Sequence, residues 1–233
     1  MISMPIALIS DIHSNYEALK AVWKEIKDID KIVCLGDLVG YGASPDAVVE
    51  LIRKEMKRRE ILCIRGNHDN AVAFGTDWGF NPYARYAVRW HQRTMKSENL
   101  EFLRNLPVRL FFKYGERSYH IIHGSPRAPL DEYLFPWLPD SEFADCLRYI
   151  REDDLIVGHT HVPMLKIIGK RRVINPGSVG QPRDGDWRAS YAILYEDGKV
   201  EFFRVEYDVE TAAEKILKAG LPEFLAYRLF EGL

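Results

Sequence analysis

No run in this 233-residue chain approaches the ~20 consecutive apolar residues that a membrane-spanning helix needs. No basic stretch followed by a long apolar run opens it, so a signal peptide is not expected and the expected location is the cytoplasm. Cysteine is scarce: Cys34, Cys63 and Cys146 are odd in number and far apart, which supports neither a disulfide framework nor a thiolate metal site. Cys34 and Cys63 sit inside apolar runs and read as small buried hydrophobes. Neither charge sign is in excess, with 32 Lys and Arg against 34 Asp and Glu and a net charge of -2. Bulk attraction to acidic membranes or long nucleic acid is therefore not expected, no basic stripe is evident, and any phosphate recognition must be local. Low-complexity segments, internal repeats and Pro/Gly/Ser-rich linkers are also missing, so a single domain over residues 1–233 is expected.

What is present begins with apolar runs. Residues 6–9, 32–35 and 61–64 read as buried strands, each followed by a polar or Gly-rich loop, with helical patterns at 16–27 and 45–59. Pro45 suits a first helical position. This β-loop-α repeat predicts a parallel sheet with helices on its faces. The polar stretch after 64 reads as a loop, and 81–106 as mostly helical. Beyond it, strands are expected at 108–112, 118–122, 155–157, 164–168, 172–174, 190–195 and 200–205. Hairpin turns are expected at Gly115-Glu116, Gly169-Lys170 and Asp197-Gly198. Helices near 209–219 and 222–230 close the chain, so two packed sheets with helices outside them are expected.

Five polar clusters follow directly after strand-like runs: Asp11-Ile12-His13, Gly36-Asp37, Gly66-Asn67-His68-Asp69, His123-Gly124 and Gly158-His159-Thr160-His161. Ligands in parallel α/β sheets bind at the carboxyl ends of strands, so these loops are expected to share one rim. Carboxylate, imidazole and amide oxygen suit borderline divalent metals. Asp11-x-His13 and His159-x-His161 each offer two ligands from one short segment, expected to be extended so that i and i+2 point the same way. Asp37 has two oxygens with which to bridge two ions. Each cluster alone has a bland reading as a turn or solvated loop. Five of the seven histidines fall in these clusters, however, which argues for one site. His91 and His120 read as structural.

In order and spacing these motifs resemble the calcineurin-like metallophosphoesterases, over residues 4–183. Segments 36–42, 123–126 and 175–183 look like a small bacterial and archaeal phosphodiesterase-like branch. The resemblance implies an α/β fold, a four-layer α/β/β/α sandwich of two mixed sheets flanked by helices. It implies two divalent ions, manganese first with iron, zinc, cobalt or nickel as alternatives. One would be held by Asp11, His13, Asp37 and His161, the other by Asp37, Asn67, His123 and His159. His68 would be a proton donor or transition-state stabiliser outside the metal shell. Many relatives carry a second Asp three residues after the bridging one, where it orients the catalytic histidine; here that position is Gly40. Asp69 is a nearby carboxylate, and what orients His68 is open. The arginine of phosphoprotein phosphatases after that second Asp is also missing.

The expected reaction is attack of a metal-bridging hydroxide on phosphorus. The expected substrate is a small phosphodiester or a nucleotide phosphoanhydride such as a dinucleoside polyphosphate. A phosphomonoesterase is the close alternative, and a non-catalytic scaffold the alternative of another class. A barrel hydrolase of C–N bonds fits poorly, because eight-stranded barrels typically take about 250 residues. Arg183, with a weaker case for Arg65, is a candidate phosphate contact. Trp78 and Phe80, in a Gly-containing loop, are candidates for stacking on a base. Tyr83, Tyr86 and Trp90 follow helical spacing and read as a packed helix face. The sequence leaves the oligomeric state open.

Overall fold

The structure is a computed structural model that describes residues 4–233. Strand β1 (Ile6–Ile9) is followed by helix α1 (Tyr16–Glu25), β2 (Lys31–Cys34), α2 (Pro45–Glu55) and β3 (Glu60–Cys63). As the β-loop-α repeat predicts, β1, β2 and β3 pair in parallel. Next come α3 (Asn67–Phe74), α4 (Pro82–Thr94), α5 (Ser97–Asn105), the hairpin β4 (Arg109–Tyr114) and β5 (Arg117–Ile122), α6 (Asp140–Leu147) and β6 (Asp154–Ile156). The chain continues through β7 (Met164–Ile168), β8 (Arg171–Asn175), β9 (Ala189–Leu194), β10 (Val200–Val205), α7 (Val209–Lys218) and α8 (Glu223–Glu231). One sheet has the order β10-β9-β1-β2-β3 and the other β4-β5-β6-β8-β7. Each mixes parallel and antiparallel pairs.

Alternation of side chains along the strands builds the layers. Ile6 and Leu8 face the second sheet, where they pack with Val33, Tyr119, Ile121, Ile156 and Ile174. Ala7 and Ile9 face the other way, onto Leu19 and Val22 of α1 and Val48 and Ile52 of α2. On the far side of the second sheet, Ile122, Leu155 and Val173 meet Phe143 and Leu147 of α6. This is the helix-sheet-sheet-helix arrangement expected.

Three local expectations change. The polar stretch after β3 is not a loop: it is α3, an eight-residue helix with Asn67 and His68 in its first turn. Helix α6 has no counterpart in the sequence reading. Tyr83 and Tyr86 do not pack into the core of their helix; Ala84, Ala87, Val88 and His91 do. Tyr83 instead stacks on Phe224 at 4.9 Å, Tyr86 Oη donates to the Gly220 carbonyl, and only Trp90 of the three packs against the core. Among the described residues no helix is long and apolar enough to cross a membrane.

Candidate metal centre

All five clusters meet at one end of the two sheets, and Asp11, His13, Asp37, Asn67, His68, His123, His159 and His161 are buried there. The backbone carrying them is not extended, contrary to expectation. Asp11, His13, Asp37, His159 and His161 all have positive φ, between 49° and 67°, as do Ser14 and Tyr41. Such conformations cost free energy in residues other than glycine and persist only where surrounding structure fixes them. Here cross-loop hydrogen bonds do so: His13 N to Asp37 O at 2.9 Å, Asp11 N to Gly36 O at 3.1 Å, and Gly180 N to Asp11 O at 3.0 Å. Gly66 permits a close approach, since a Cβ there would fall 2.1 Å from Asp37 Oδ1.

The hydrogen bonds at the rear of each ring decide what faces the centre. His13 Nδ1 donates to Val39 O (3.1 Å), His123 Nδ1 to Leu35 O (2.7 Å) and His161 Nδ1 to Gln181 O (2.6 Å). A carbonyl only accepts, so each Nδ1 carries a proton; the His13 and His161 rings, kept neutral by burial, turn Nε2 lone pairs inward, while His123 Nε2 faces the centre with a proton that a bound cation would replace. The Nε2 atoms of His13 and His161 are 3.0 Å apart, and His123 Nε2 is 3.1 Å from Asn67 Oδ1. The Asp11 carboxylate uses Oδ2 to accept from Ser10 Oγ (2.6 Å) and His159 N (3.1 Å). Its Oδ1 is buried with no hydrogen-bond partner. His159 Nε2 donates to Asp131 O (3.3 Å), which leaves its Nδ1 as the lone-pair nitrogen.

The His13 and His161 lone pairs and Asp11 Oδ1 converge with no proton between them and repel, and a cation resolves that conflict. The arrangement thus fits divalent metal on its own chemistry. Asp11 Oδ1 lies 3.8 Å from His13 Nε2 and 3.3 Å from His161 Nε2. Asp37 Oδ2 lies 3.6 Å from His13 Nε2 and 3.4 Å from His123 Nε2, between the two groups. Asp11-His13-His161 and Asp37-His123-His159 each have ligand atoms within 4.8 Å of one another. Burial pushes the His123 imidazole toward its neutral form, but the Asp37 and Asp11 carboxylates outweigh it and raise its pKa to about 10. The pocket attracts positive charge.

His68 also falls within 4.8 Å of ligand atoms of His13 and Asp37. Its own backbone N–H donates to Asp37 Oδ1 at 2.8 Å. Among the described residues no carboxylate orients its ring, and His68 Nδ1 has no hydrogen-bond partner. Asp69 accepts from Gly66 N (3.0 Å) and Val39 N (3.1 Å), so it ties α3 to the Asp37 loop. The imidazole is instead packed by rings, with centroids 4.5 Å from Tyr41, 4.6 Å from Phe80 and 4.9 Å from His13. Burial lowers its pKa to about 4, keeping it neutral at physiological pH.

A cavity of about 300 Å³ opens over Asn67, His68 and His159, with Tyr41, Trp78, Phe80 and Tyr133 in its walls. Trp78 is almost fully exposed at its edge. Tyr133, which the sequence reading missed, stacks on the His159 ring at 3.7 Å. Arg183 reaches Gln181 Oε1 (2.9 Å) and Tyr41 Oη (3.3 Å) beside the centre. Arg65 is not brought into this group: it donates to Arg104 O at 2.9 Å and lies over Phe74. His91 and His120 also stand apart. His91 accepts from Gly40 N (3.2 Å) and donates to Gly42 O (2.8 Å), bracing the loop behind His68. His120 pairs with Glu152 at 3.1 Å.

The chain is 45% identical to an uncharacterized protein of Methanocaldococcus jannaschii, covering all of both chains. It is similar to the crystal structure of a metallophosphoesterase from Sphaerobacter thermophilus, with 38% identity, a TM-score of 0.85, and 99% of this chain and 100% of that one covered. A hypothetical protein from Pyrococcus horikoshii shares 26% identity with a TM-score of 0.93 over 99% of each chain. Residues 4–199 match the calcineurin-like phosphoesterase superfamily domain, and with the relatives above this places the chain in that superfamily.

Proposed function

We propose that the chain is a dinuclear metal-dependent phosphoesterase that hydrolyses a small phosphodiester or a nucleotide phosphoanhydride. The observation that carries this reading is the position of Asp37 Oδ2 between two sets of inward-facing imidazole nitrogens. Asp11, His13, Asp37 and His161 would hold one ion, and Asp37, Asn67, His123 and His159 the other. Two divalent ions, manganese foremost, would supply a nucleophilic hydroxide at neutral pH and offset phosphoryl charge.

The chain's own residues do the rest. Asn67, in the first turn of α3, sets one amide against the reacting phosphoryl group. His68, fixed by Tyr41 and Phe80, donates a hydrogen bond from its neutral ring to the leaving oxygen and stabilises the charge that develops there. Asp37 both accepts from the His68 backbone and faces the two nitrogen groups, so it couples the histidine to the metal cage. Trp78 and Phe80 present ring faces at the cavity for a base or aryl group.

The presence of every ligand position and of His68 weighs against a non-catalytic scaffold. The test is turnover of bis-p-nitrophenyl phosphate and p-nitrophenyl phosphate with Mn²⁺, Fe²⁺, Zn²⁺, Co²⁺ and Ni²⁺. Metal-dependent turnover favouring the diester supports the proposal, preference for the monoester moves it to the phosphomonoesterase reading, and no turnover with any metal returns it to a scaffold. The chemistry is at home in the cytoplasm.

A further inference from the structure

We propose that Arg183 and Arg228 form a receptor for a second phosphate group beside the metal cage, which makes the substrate a phosphoanhydride rather than a simple ester. This rests on the phosphoesterase reading above and narrows it.

The two arginines come from distant parts of the chain, Arg183 from the loop after β8 and Arg228 from α8. Both approach the same ring, with guanidinium carbons 5.6 Å and 5.7 Å from the Tyr41 centroid. Other partly buried arginines meet carboxylates: Arg117 and Arg172 share Asp154, and Arg127 meets Glu132, Glu142 and Asp145, while Arg171 is met by main-chain carbonyls. Among the described residues, no Asp or Glu side chain forms an ion pair with Arg183 or Arg228. Arg183 Nε is buried and has no acceptor. Arg228 Nε donates to a main-chain oxygen of Leu233, the last residue of the sequence, at 2.5 Å, and among the described residues its two terminal nitrogens make no hydrogen bond. Burial, and then the neighbouring Arg183 charge, lower the Arg228 pKa to about 10. Two half-buried cations that meet on one ring without a side-chain carboxylate are costly, and an anion relieves that cost. Guanidinium forks match phosphate oxygens in geometry and charge.

The position specifies which phosphate. Tyr41, under both guanidiniums, lies 4.8 Å from the metal-facing ring of His13 and 4.5 Å from His68. Arg183 is tied to the cage directly, its main-chain N donating to the His161 carbonyl at 3.4 Å. A phosphoryl group in the cage and a second one on the arginines are neighbours, as in nucleoside polyphosphates or inorganic pyrophosphate. Hydrolysis adds a water oxygen to the caged phosphorus. The bridging P–O bond breaks, its electron pair leaves on the departing phosphate held by the arginines, and the two water hydrogens end on the products or in solvent.

The test is calorimetric binding of methylenediphosphonate and methylphosphonate to the Mn²⁺-loaded full chain, alongside bis-p-nitrophenyl phosphate turnover. The parent is expected to prefer the diphosphonate by at least about tenfold. Arg228→Gln and Arg183→Gln should each lose most of that preference, and Arg228→Lys should keep part of it. Methylphosphonate affinity reports whether each variant is folded; if Arg228→Gln fails that check, Arg183→Gln decides. No preference in the parent, or one that survives both Gln variants, overturns the receptor while turnover still upholds the phosphoesterase. Loss of turnover and of methylphosphonate binding in the parent overturns both.

Discussion

The His68 imidazole occupies the space where a side chain on Gly40 would begin: a Cβ there would fall 2.4 Å from His68 Nδ1. Gly40 also has a φ of +102°, a conformation strained for any L side chain. With no side chain at position 40, the ring fills the gap between Tyr41, Phe80 and His13.

Gly40→Ala is therefore expected to displace His68. Turnover should fall about 10²–10⁴-fold, as if the histidine were removed, with metal content kept and stability lowered by about 1–3 kcal/mol. Kinetics, metal analysis and a melting curve check it. Gly40→Asp should fail in the same way, and full activity of the Asp variant would mean the ring can move aside.

His68→Ala should retain metal and lose about 10²–10⁴-fold in rate, least for substrates with good leaving groups. A series of aryl phosphodiesters of graded leaving-group pKa measures this as a steeper slope. Loss of metal would make His68 a ligand.

His91 gives a pH dependence separable from the metal site. Burial lowers its pKa to about 4, while the Gly42 carbonyl and Asp46 raise it slightly. The folded state then binds a proton less readily than the unfolded chain, whose histidine titrates near 6.5. This stabilisation is complete above about pH 6.5 and declines as pH falls toward about 4, by ~1.4 kcal/mol per unit. Denaturant melts of metal-free parent and His91→Gln should show a shallower acid slope in the variant. Equal slopes would contradict it.

Much of the centre was legible because its residues follow apolar runs: Asp11, Asp37, Asn67, His123 and His159 lie within a few residues of the ends of strands β1, β2, β3, β5 and β6. Strand order at the edges, β10 beside β9 and β7 beside β8, followed from short turns. Helix α3 was not legible, because its first turn carries the polar residues that read as a loop and its face is only weakly amphipathic. The left-handed backbone at Asp11 and His13 was hidden too, since cross-loop hydrogen bonds impose it against local preference. Tyr133 and Arg228 had no signal at all. Each reaches the site only through tertiary packing, Tyr133 onto His159 and Arg228 onto Tyr41.

The central claim is that Asp37 joins two cation sites. Elemental analysis of Mn²⁺-reconstituted protein, with turnover measured on the same samples, tests it most directly. The parent is expected to bind two ions per chain, and Asp37→Asn to lose both and with them hydrolysis. One ion in the parent, or two ions and near-normal turnover in Asp37→Asn, would contradict it.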